Sequence, residues 1–119
     1  MGKNNEIFFK AIEDASHAAQ MAGDEWMKNA KPKYVVVGYE DEPMLDLCGN
    51  AHVKVTDGRT AFGKYLKQDS WKSTITVPLK TTYTYRQEHG LKVAMAEAAL
   101  KVLTEKYGIK KLSIWSYID

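Results

Sequence analysis

The sequence predicts an α+β domain: a mostly antiparallel sheet of about four strands, with two long helices on one face and a short inserted helix. Three observations carry this prediction. Apolar residues recur at steps of three and four over residues 5–29 and again from Val93 to Tyr107. Apolar and polar residues alternate in three short stretches, the signature of half-buried strands. The order helix, strands, helix, strand is packed most simply by laying both helices on one sheet face.

In the first helix Phe8, Ile12, Ala15, Ala19, Ala22 and Trp26 share a face. Asn5 is placed to cap the first turn, and Glu6 suits the positive end of the helix dipole. Pro32 biases Lys31 away from helical geometry and ends the element. Tyr34-Val35-Val36-Val37-Gly38-Tyr39 is a β-branched and aromatic run, hence a strand, followed by the acidic loop Glu40-Asp41-Glu42-Pro43. Ala51, Val53 and Val55 alternate with His52 and Lys54, giving one buried and one wet face. Thr56-Asp57-Gly58 turns the chain. Phe62, Tyr65 and Leu66 then have helical spacing, with Lys64 and Lys67 on the opposite face.

From Trp71 to Leu79, Ser73, Ile75, Val77 and Leu79 alternate with Lys72, Thr74, Thr76 and Pro78. Pro78 has no N–H for a ladder, so this strand is an edge or stops there. Thr84 and Gln87 have capping-box spacing ahead of the second long helix. That helix carries Val93, Ala96, Leu100, Leu103 and Tyr107 on one face. Lys101 and Lys106 suit its C-terminal dipole, and Gly108 is the expected C′ residue. In the final strand Leu112, Ile114 and Ile118 alternate with Ser113, Trp115 and Tyr117.

At 119 residues the chain reads as a single domain, able to bury roughly 65% of its unfolded surface without metal or disulfide support. A hydrophobic content of 45% with 27% charged residues is ordinary for a globular protein. The net charge of +2 creates no field that demands nucleic acid or an acidic membrane. One cysteine excludes an internal disulfide and points to a reducing compartment. No apolar run reaches signal-peptide or transmembrane length, so a cytoplasmic location and no membrane partner are expected.

Four groups of residues are candidates for chemistry or binding. Cys48 and His52 are four apart, near Asp46 and Asp57, which suggests a metal site or a thiol–imidazole pair. Zinc needs three or four protein ligands and the usual C-x-x-C pair is missing, so the plainer reading is a thiol beside a surface imidazole. Arg59, Lys64, Lys67 and Lys72 are interleaved with Tyr65 and Trp71; with Lys54, they set five cations against Asp57 and Asp69. Cations that hold phosphates and rings that stack on bases would bind an anion or nucleic acid, although lysines on an amphipathic helix are ordinary solvated residues. Trp115 and Tyr117 lie opposite the core-facing side of the last strand, and exposed Trp and Tyr are enriched at protein contacts. They are the candidate surface for a protein partner or a second copy of the chain; the plainer alternative is that residues of the acidic loop fold over them. Glu40, Asp41 and Glu42 read as a solvated loop. No Gly-rich phosphate loop, Ser-centred elbow or two-histidine helix motif is present, and no pattern calls for a cofactor or a catalytic residue.

The second long helix, opening His89-Gly90-Leu91-Lys92 and rich in alanine, is superficially similar to the last helix of double-stranded-RNA-binding domains. Arg86 and Lys92 are too few cations for that role. The chain as a whole resembles a group of small uncharacterised proteins encoded by tailed bacteriophages. The residues that carry the resemblance are Cys48-Gly49-Asn50-Ala51-His52-Val53-Lys54-Val55, then Arg59, Phe62 and Leu66-Lys67. Gln87 before an alanine-rich helix, and the terminal Ser116-Tyr117-Ile118-Asp119, extend it over most of the chain. His52 stands where an aromatic residue is expected. The resemblance implies a phage or prophage origin, a similar α+β fold and a host-cytoplasmic setting, and it brings no catalytic residues. The expected function is a non-enzymatic accessory protein that binds a host or phage macromolecule, including inhibition of a host or defence factor. A nucleic-acid or nucleotide-binding module built on residues 54–72 is the alternative.

Overall fold

The computed structural model describes residues 2–29, 49–67, 75–83, 86 and 88–118. Helix α1 spans Gly2–Asn29, strand β1 Gly49–Val55, helix α2 Ala61–Leu66 and strand β2 Ile75–Thr76. Helix α3 spans His89–Lys101, continues through a π-helical turn Val102–Lys106, and is followed by β3, Leu112–Ile118. The fold is α+β, with two long helices and an antiparallel sheet in the order β2-β1-β3. The sheet has three strands among the described residues, against the four expected; the Tyr34–Tyr39 run lies outside those residues.

Both neighbours run antiparallel to β1, so β2 and β3 are parallel to each other and α3 is the crossover that carries the chain over β1. The crossover skips one strand, since β1 lies between its two ends. The sheet's core-facing side follows the sequence alternation. Gly49, Ala51, Val53 and Val55 are buried while Asn50, His52 and Lys54 are half-buried. Ile75 and Val77 are buried, with Thr76 and Pro78 exposed between and after them. Pro78 follows the short edge strand β2 at a position whose N–H would point away from β1, so its ring costs no ladder bond.

The two helices do not share the sheet equally. Helix α3 lies against β1 and β3, and α1 packs chiefly on α3. This makes α3 the centre of the molecule, with Leu91, Met95, Ala96, Ala99 and Leu103 buried. The buried column of α1 is Ala11, Ala15 and Ala19, each fully buried, and Gly23 continues it. Small side chains at i, i+4 let two helices approach closely. A methyl on Gly23 would meet the Tyr83 ring at 2.7 Å. The column sits beside the stripe read from the sequence, so Ile12, Ala22 and Trp26 flank the contact half-buried.

The structure differs from expectation in three places. Helical bonding runs through Asn5 to Gly2, so Asn5 does not cap α1. Helix α3 starts at His89 with Glu88 at the N-cap; that carboxylate is taken up by Arg86 (Nε to Oε2, 3.0 Å) rather than by the helix. Thr84 and Gln87 lie outside the described residues. Ile118, expected in the core, is 55% exposed at the corner of the sheet opposite Gly49.

Two further ends are held by residue types suited to them. Thr60 caps α2, its hydroxyl accepting from the Gly63 N–H at 3.1 Å. Gly108 closes the second long helix at φ 64°, its N–H donating to the Thr104 carbonyl. Beside it Asp14 of α1 accepts from Lys106 Nζ at 2.8 Å and from the Tyr107 hydroxyl, tying the two long helices together. Buried Ser16 accepts the Lys80 N–H at 3.0 Å and fixes the segment after β2 against α1. Among the described residues no helix is long and apolar enough to cross a membrane.

Candidate functional site

With α3 on one side of the sheet, the other side displays Asn50, His52 and Lys54 from β1, Thr76 from β2, and Ser113, Trp115 and Tyr117 from β3. The antiparallel register sets His52 opposite Trp115, Asn50 opposite Tyr117 and Lys54 opposite Ser113. Opposed residues share a face, so three rings from two strands form one array. His52 stacks on Trp115 with centroids 6.0 Å apart and planes 18° from parallel. Trp115 meets Tyr117 at 5.0 Å in a tilted arrangement. Trp115 is 51% exposed and Tyr117 39%.

Among the described residues Lys54 is the one side chain of this face with a fixed charge, and none of them sets a carboxylate there. Partial burial, and after it the charge of Lys92, holds the His52 imidazole below its ordinary value of 6.5. His52 is therefore neutral at pH 7, and the array is an uncharged aromatic surface edged by amide, hydroxyl and ammonium groups. Such a surface can bury apolar area and offers directional hydrogen bonds.

The basic candidates occupy a different region. Asp57 accepts Arg59 Nε at 3.1 Å, Nη2 at 3.2 Å and the Arg59 backbone N–H at 2.9 Å. The same pairing, through the Arg59 hydrogen bonds first, lowers the Asp57 pKa and raises that of Arg59. The guanidinium pairs within its own turn while its side chain stays 91% exposed. Lys64 and Lys67 are exposed on and just after α2, and Lys67 Nζ lies against Gly58. Lys72 and Trp71 lie outside the described residues, as does Cys48. The structure brings Lys54, not Arg59, to the aromatic face. Among the described residues no three His, Cys, Asp or Glu side chains converge as metal ligands.

A concavity of about 600 Å³ opens between α1, α2 and the segment after β2, floored by Ile12 and Leu66 and edged by Glu13, His17 and Lys80. Its walls mix apolar and polar side chains.

His52 belongs to the aromatic array, a membership that its place in the Cys48–Val55 motif does not announce. The signal is the strand alternation, which puts His52 on the wet face; the register that brings it to Trp115 is a tertiary fact. No family model, curated protein or solved structure matches this chain.

Proposed function

We propose that this is a non-catalytic binding protein that takes hold of a macromolecular partner with the uncovered face of its sheet. The observation that supports this reading is the array of half-buried His52 with exposed Trp115 and Tyr117, joined by one stacked and one tilted ring contact. Aromatic side chains with a polar edge supply large contact area at low entropic cost, and they dominate binding energy at protein contacts. The resemblance to small tailed-phage proteins fits an accessory protein of that kind, one that binds and inhibits a host or defence factor in the cytoplasm of an infected cell. Replacing Trp115 and Tyr117 by alanine is expected to abolish capture of the partner from host lysate. Far-ultraviolet circular dichroism and melting temperature are expected to stay close to the parent values, because both rings are exposed. Capture undiminished in the double variant would refute the reading.

A second reading is favoured by Lys54, which shares the face with the rings: a strand of nucleic acid stacked on Trp115 with a phosphate near Lys54. It predicts Trp115 quenching and an affinity that falls steeply with salt, with Arg59, Lys64, Lys67 and Lys72 adding to the slope. A low-salt gel shift without retardation of RNA or DNA would remove it.

A further inference from the structure

Among the described residues the outer edge of β3 is a row of backbone hydrogen-bonding groups with no partner strand. The Val77 N–H donates to the Val53 carbonyl, so odd-numbered residues of β1 aim their amides at β2 and even-numbered ones at β3. The bond from the Thr56 N–H to the Lys111 carbonyl continues the same parity. In the β1–β3 register this turns Ser113, Trp115 and Tyr117 inward to β1, leaving the amides of Leu112, Ile114, Ser116 and Ile118 pointing outward. Among the described residues nothing pairs with that edge. Edge strands are ordinarily blunted by a lysine, a proline, a bulge or a short length. Leu112-Ser113-Ile114-Trp115-Ser116-Tyr117-Ile118 has none of these: it is seven residues long, uncharged, without proline or glycine, and free of a bulge in its ladder.

We infer that a second copy of this chain occupies the edge, β3 pairing antiparallel with β3 about a two-fold axis through Trp115. This rests on the reading of the sheet as the binding element and names one of its partners. The register is set by the strand itself. Centring on Trp115 places Leu112 opposite Ile118 and Ile114 opposite Ser116, and these are the residues whose amides point outward. Each such pair exchanges two backbone hydrogen bonds. A shift of centre by one residue, to Ile114 or Ser116, also pairs outward amides, but it shortens the overlap and leaves one end of each strand unmatched.

Charge supports a copy as occupant. The strand has no charge to repel its twin, while Lys110 and Lys111 precede it and Asp119 follows it in sequence. Antiparallel pairing therefore brings the cationic end of each strand to the acidic end of the other. The six-stranded sheet keeps both aromatic arrays on one face and runs them together as His52, Trp115, then the partner's Trp115 and the partner's His52.

The test uses the full chain with Cys48→Ser. Trp115→Cys is expected to cross-link to its twin on mild oxidation, because a non-hydrogen-bonded antiparallel pair holds its Cα atoms about 4.5 Å apart, within disulfide reach. Tyr117→Cys is the register control: two copies of residue 117 lie roughly 13 Å apart along the strands and stay reduced. Sedimentation velocity of the parent chain is expected to give a dimer. Ser116→Pro removes one outward N–H and leaves the ladder to β1 intact, so it is expected to sediment as a folded monomer; Ser116→Lys serves where the proline variant fails to fold. A parent chain that stays monomeric at high micromolar concentration, a dimer that persists in both Ser116 variants, or equal cross-linking through residue 117 would each overturn the inference. None of these touches the alanine test of Trp115 and Tyr117 against a lysate, so the two readings fail separately.

Discussion

Gly49 is the point at which a single methyl group tests how β1 and β3 are held together. A Cβ built there would lie 2.4 Å from the Tyr117 carbonyl oxygen, and 2.9 and 3.0 Å from the His89 side chain. Ordinary contact needs about 3.4 Å or more, so the strand end must move by about 1 Å, and the nearest atom is paired backbone, not the tip of a flexible chain. Overpacking of this kind costs roughly 1–3 kcal/mol. For a domain of this size, Gly49→Ala is then expected to lower the melting temperature by roughly 4–15 °C.

Gly108→Ala is the comparison. Nothing lies within 4 Å of a Cβ there, but φ is 64°, so the cost is conformational, about 1–2 kcal/mol. The two variants therefore resemble each other in a melt. They differ in an amide-correlation NMR spectrum: Gly49→Ala is expected to shift the resonances of residues 115–118, whereas Gly108→Ala leaves them in place. Gly49→Ala with a parental melting temperature and parental shifts at 115–118 would refute the close approach of β1 to the Tyr117 carbonyl.

Leu103→Ala, at a fully buried position in the turn that extends α3, is expected to cost about 2–5 kcal/mol in urea unfolding, whereas Ile7→Ala on the exposed side of α1 costs little. The His52 imidazole titrates below 6.5 in the folded protein, so the unfolded chain takes up its proton first. The stability tied to that group is whole above pH 6.5 and falls as pH drops from there toward the folded value; Lys92→Met is expected to move the NMR-detected His52 titration back upward. Asp14 is held below 3.8 by its hydrogen bond from Lys106 first and then by that from Tyr107. Its contribution is present above the unfolded value and disappears as pH falls through the folded one, so Asp14→Asn should be less stable than the parent at pH 7 and indistinguishable in strong acid.

What the sequence made legible was periodic. The alternation in residues 51–55 and 112–118 fixed which side chains face the helices, because a strand's side-chain period of two leaves no freedom once one face is buried. Gly108 was readable because only a residue tolerant of positive φ ends a helix that way. The Asn5 cap failed because a capping residue competes with helix continuation, and nothing in Gly2–Asn5 stops the helix. The buried column of α1 was displaced by contact with α3: spacing defines a stripe, while the neighbour selects which edge of it is covered. Ile118 was misplaced since alternation says which face a residue takes, not whether the covering helix reaches that far. The aromatic array was half visible. Trp115 and Tyr117 stood out by exposure alone, but His52 joins them through a register between strands far apart in the chain.

That separation has a consequence for how the protein comes into being. Val55 pairs with Leu112 and Gly49 with Ile118, spans of 57 and 69 residues, while β2 covers only two positions of β1. A ribosome therefore releases β1 long before its main partner has been made, and the sheet closes as one late, non-local event. In the finished fold α3 covers the apolar side of β1, so until residues 89–118 are made neither its covering helix nor its main partner strand is there to shield it.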